Sequence, residues 1–120
     1  MKHCIAALMA LALTACATPS EVINEGPTDL YRSSAGVADT TGCVVRASQE
    51  ITSSVRVVER ASELAGVREV VVSGDYGTMM VARIAPAGAG STVTVYYSGS
   101  SMRAVHGGKM TNGCAVPVNP

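Results

Sequence analysis

Apolar residues follow three different rhythms along the chain, and each predicts a different kind of segment. Cys4 to Leu13 is an unbroken apolar run of ten residues behind Lys2 and His3. From Ala17 to about Gly36 the apolar signal fades into Thr, Ser, Pro, Gly and acidic residues, with Pro19 and Gly26-Pro27 as breakers. This composition predicts a flexible tether over 16–36, with an end-to-end distance on the order of 25 Å, in which Leu30-Tyr31 is the one pair suited to docking back on a domain. Between Ala38 and Thr52, Val44, Ala47 and Ile51 recur at helical spacing, predicting a helix that carries Cys43 and is capped by Asp39 or Thr40. Val55, Val58 and Ala65 would extend that face, with Gly66 closing a longer helix. Thr52-Ser53-Ser54 followed by Val55-Arg56-Val57-Val58 favours a break and a strand instead, and that reading is preferred.

Beyond this point the rhythm shortens. Val67 to Ser73 is β-branched, Gly74-Asp75-Tyr76-Gly77 reads as a turn, and Thr78 to Ala85 is apolar enough for a central strand. A second turn at Pro86–Gly90 precedes Thr92–Tyr97, whose alternation places Val93, Val95 and Tyr97 on one face and Thr92, Thr94 and Tyr96 toward water or an edge. After Gly99 a short helix or coil is expected to return Cys114 to the Cys43 helix. The predicted class is α+β, with an antiparallel sheet of three to four strands and one N-terminal helix packed on it, in a single domain over 37–120.

The N-terminal run is about half the roughly 20 residues that a membrane span requires, so with its basic start it reads as a cleaved secretory signal over 1–15. Its end, Leu13-Thr14-Ala15-Cys16, resembles the lipobox of bacterial lipoproteins. The resemblance implies a diacylglyceryl group on the Cys16 sulfur, cleavage before Cys16 and acylation of the new amino group. Ala17, where an aspartate would favour retention, implies sorting to the periplasmic face of the outer membrane. Ala15-Cys16-Ala17 also fits the small-x-small pattern of an ordinary signal peptide, whose cleavage would release a soluble protein lacking Cys16.

Composition narrows the chemistry. The chain has no Phe or Trp and four Tyr, so its core is to be built from Val, Ala, Ile, Leu and Met, which bury less area per residue. Cys4 leaves with the signal on either cleavage route and Cys16 is lipidated or removed, so Cys43 and Cys114 are expected to form a disulfide in an oxidising compartment. The formal net charge is zero and no basic cluster occurs, which argues against nucleic-acid binding. Interleaved Arg46, Arg56, Arg60, Arg68, Arg83 and Glu50, Glu59, Glu63, Glu69 read as a solvated surface of mixed sign.

No catalytic constellation is evident, no cofactor is expected, and the chain is read as non-enzymatic. His106 is the only histidine of the mature chain, and Gly-x-Ser-x-Gly is missing. Met102, His106 and Met110, four residues apart, form a thioether and imidazole set suited to Cu(I) on a continuous helix, although Gly107-Gly108 interrupts that helix and favours a packing role for the methionines. The expected role is that of an envelope lipoprotein, attached to the membrane through its lipid and structural or accessory in an envelope assembly. A binding module, such as an inhibitor of lysozyme-type enzymes presenting Gly74–Gly77, is the alternative. The layout of a helix with one Cys, a string of short strands and a closing Cys also resembles that of other small bacterial lipoproteins, and brings no activity with it.

Overall fold

The structure, a computed structural model, describes residues 17–118. The signal segment and Leu13–Cys16 lie outside the described residues. The chain runs α1 (Pro19–Glu25), β1 (Thr28–Ser33), α2 (Val37–Gln49), β2 (Arg56–Ala61), β3 (Arg68–Gly74), β4 (Gly77–Ala87), β5 (Gly90–Tyr97), α3 (Ser100–His106) and β6 (Val116–Pro117). All six strands join one antiparallel sheet in the order β2-β3-β4-β5-β1-β6. Strands β2 to β5 form a meander; β1 pairs with β5, so α2 crosses the sheet to connect β1 with the opposite edge at β2.

Three expectations are corrected. Among the described residues the sheet has six strands rather than three to four, three helices are present rather than one N-terminal helix, and Pro19–Glu25 and Thr28–Ser33, within the segment expected to be a tether, are folded. Thr18 begins α1 with a reciprocal capping box: its hydroxyl accepts from the Glu21 N–H at 3.2 Å and its own N–H donates to Glu21 Oε1 at 2.9 Å, with Pro19 in the first turn. Leu30-Tyr31, expected to dock back, lies inside β1, with Tyr31 buried in the main core. Strand β2 forms where the break after Thr52 predicted it, and the longer helix does not form.

Two cores flank the sheet. On one face, alternate residues of β3 to β5 (Val70, Val72, Met80, Ala82, Ile84, Val93, Val95 and Tyr97) pack with Tyr31, Val44 of α2 and Met110. On the other, Val22 of α1 closes over Val71 and Val81, with Ala17, Ile23 and Tyr96 around them. Val70, Val71 and Val72 are therefore all buried, because β3 is covered on both faces. Val93, Val95 and Tyr97 share the α2 face as predicted, and Tyr96 packs on the α1 side instead of facing only water.

Helix α2 is capped by the backbone of Gly36, not by Asp39 or Thr40. Thr40 is buried in the first turn, where its hydroxyl lies 3.0 Å from Ser33 Oγ and 2.9 Å from Ser91 Oγ. This hydroxyl cluster, which also bonds the Ala35 carbonyl, joins the helix start to β1 and β5. Farther along α2, Cys43 forms the expected disulfide with Cys114, with a Cα–Cα distance of 5.7 Å.

Candidate functional site

The side of the sheet under α1 carries a buried carboxylate held between two arginines. Hairpin registers place Arg60, Glu69 and Arg83 directly opposite one another across β2, β3 and β4. Arg60 Nε donates to Glu69 Oε1 at 2.8 Å and Arg83 Nε to Oε2 at 2.7 Å, so each carboxylate oxygen takes one arginine. Glu69 is 3% exposed, whereas the Arg60 and Arg83 side chains retain 44% and 28% exposure. Such cross-strand pairs are the unit from which sheets draw lateral stability.

Burial is the largest single influence on the Glu69 carboxyl and would raise its pKa. The hydrogen bonds and charges of Arg83 and Arg60 together outweigh it and hold the group below the ordinary carboxylate value. Arg83 is raised in turn, first by its hydrogen bond to Glu69, and its guanidinium lies 5.9 Å from the centroid of the Tyr96 ring. Each guanidinium meets Glu69 through Nε alone, so its Nη hydrogens are not used on that carboxylate.

Both arginines border a cleft of about 450 Å³ between the sheet and α1, lined also by Ser20, Ile23, Asn24, Ala61 and Glu63. A planar donor pair held in fixed orientation is suited to the oxygens of a carboxylate or phosphate. The sequence reading placed Glu69 on a solvated surface, and its burial overturns that. Its parity was the available signal: Glu69 lies two residues before Val71 and shares that residue's face, so a covered face carries an acid that needs partners. A second, more apolar cleft of about 530 Å³ lies between the start of α2 and the β2–β3 loop, bordered by Thr41, whose buried hydroxyl has no hydrogen-bond partner.

The residues considered for copper do not form a shared helical face. Helix α3 ends at His106, capped by Gly107, so Met110 lies beyond it. Met110 is fully buried in the main core and Met102 packs against that core, which gives both a packing role. Burial, followed by the charge of Lys109, holds the His106 imidazole below its ordinary pKa. Helix α3 is held to β1 by a two-pronged ion pair from Arg103 to Asp29. Gly74–Gly77 is a tight turn with only Asp75 and Tyr76 outside the strands, and Tyr76 is 85% exposed.

No helix among the described residues is long and apolar enough to cross a membrane. No family model, curated protein or solved structure matches the chain.

Proposed function

We propose that this chain is a lipid-anchored protein of the bacterial envelope whose α+β domain works by binding rather than by catalysis. The observation that carries the proposal is Leu13-Thr14-Ala15-Cys16 at the end of a short apolar run, immediately before the first described residue. The Cys43–Cys114 disulfide agrees with an oxidising compartment outside the cytoplasm. Several acyl chains, at about 0.8 kcal/mol per buried methylene, give an anchor that does not exchange on the timescale of assembly. Ala17 after the lipidated cysteine favours the periplasmic face of the outer membrane. Fractionation tests the proposal: the wild-type chain is expected with the membranes, and Cys16→Ser is expected to lose that association. Equal membrane association of the two would contradict it.

Two surfaces favour a binding or accessory role. Strand β2 is a sheet edge with five of its six residues exposed, which leaves outward backbone groups for an added strand, although Arg56, Glu59 and Arg60 restrict what can pair there. The Arg60–Glu69–Arg83 cleft is suited to the carboxylate or phosphate group of a small ligand or partner segment. Binding of such a group would move the Arg60 and Arg83 side-chain NMR signals, and an Arg83→Gln chain would lose the response.

A further inference from the structure

The lipid-anchor reading implies a definite orientation, because almost no chain separates Cys16 from the sheet. The Ala17 carbonyl accepts the Thr78 N–H at 2.9 Å, and Ala17 bridges Gly77 in parallel. Thr18 then caps α1 and Pro19 lies in its first turn, so the chain enters the helix without slack. Ala17, one peptide bond after the cysteine that would carry the lipid, is thus fixed beside Gly77 at the β3–β4 end of the sheet.

Gly77 ends the β3–β4 turn, and the residue before it is Tyr76, the most exposed large hydrophobic side chain of the described residues at 85%. An apolar ring ending in a hydroxyl is the side chain that partitions to the boundary between headgroups and acyl chains. The thioether that carries the diacylglyceryl group must lie near that same boundary.

We propose that the domain is docked on the bilayer rather than suspended from it, with the β3–β4 end against the phospholipid surface and the Tyr76 ring at headgroup level. This rests on lipidation of Cys16. Asp75, beside Tyr76, makes a zwitterionic surface a better fit than a strongly anionic one. Strand β4 runs eleven residues from Gly77 to Ala87, which puts the β4–β5 turn about 30 Å farther from the membrane.

The chain lacks tryptophan, so a single introduced indole reports its own depth. Tyr76→Trp and Ala87→Trp are each made in the full-length chain, purified from membranes, and reconstituted in zwitterionic phosphatidylcholine vesicles with lipids brominated near the carbonyl. Intact mass is measured on the same samples. The indole at position 76 is expected to lose emission by about twofold and to shift to the blue, while the one at position 87 is unaffected. Equal quenching of the two, or none at position 76, in protein whose mass carries the lipid overturns the docked orientation and leaves the anchor intact. A mass without lipid removes the anchor reading and the orientation with it.

Discussion

Reducing the Cys43–Cys114 bond should remove a large part of this domain's stability while leaving its native contacts in place. The two cysteines are 71 residues apart, and the chain-entropy relation gives about 4 kcal/mol at 25 °C for releasing a loop of that size. A domain of this kind has a total of roughly 5–15 kcal/mol, so the reduced form would be marginal. The contacts that remain at the C-terminal segment explain why the native state should survive. Met110 and Thr111 stay buried, Val116 and Pro117 pair with β1, and the Val118 N–H bonds the Leu30 carbonyl at 3.0 Å. With a urea m-value of about 1.3 kcal/mol/M, the unfolding midpoint should fall by about 3 M on addition of reductant. Circular dichroism of the oxidised chain, the reduced chain and the Cys43→Ala/Cys114→Ala variant checks this. A loss below about 1 kcal/mol would refute the loop-closure reasoning, as would free thiols at both positions in the oxidised preparation.

Glu69→Gln should cost about 1–3 kcal/mol at neutral pH, a range kept low because both arginines remain partly in water. Because the folded pKa of Glu69 lies below its ordinary value of 4.5, the stability it adds is complete above that value and is lost as pH falls through the folded pKa. The gap between wild type and Glu69→Gln in urea melts should therefore narrow below about pH 4.5, and a gap that does not change there would show that the pairing is not ionic. Gly26→Ala drives a Cβ into the Tyr97 carbonyl oxygen, so backbone must move; a destabilisation of about 1–3 kcal/mol is expected, with hydrogen-exchange protection lost first in α1.

Much of the sheet was legible from side-chain parity. Val93, Val95 and Tyr97 face one core because a strand alternates, and Asp75-Tyr76 forms the turn that the flanking glycines indicated. Helix α1 was not anticipated because small, polar and breaker residues over 17–36 outweighed a local motif that says the opposite. Thr18-Pro19-Ser20-Glu21 carries an N-cap, a first-turn proline and the reciprocal acid of a capping box. A second signal lay farther along the chain. Val70-Val71-Val72 and Met80-Val81-Ala82 are continuous apolar runs, which a sheet covered on one face does not require. They call for a layer on each side, and α1 is that second layer.

The Arg60–Glu69–Arg83 row was hidden for a different reason. Its members are spread over three strands, and only the registers of two hairpins bring them together. Charge alternation along the chain suggested solvent, whereas Glu69 is buried in the middle of a row of cross-strand ion pairs.

The central claim is that Cys16 attaches this domain to a membrane, and intact mass spectrometry of the protein purified from membranes tests it most directly. The account predicts a mature chain beginning at Cys16 and carrying diacylglyceryl and acyl mass, with Cys43 and Cys114 oxidised. A chain beginning after Cys16 without lipid, or one that retains residues 1–15, would contradict it.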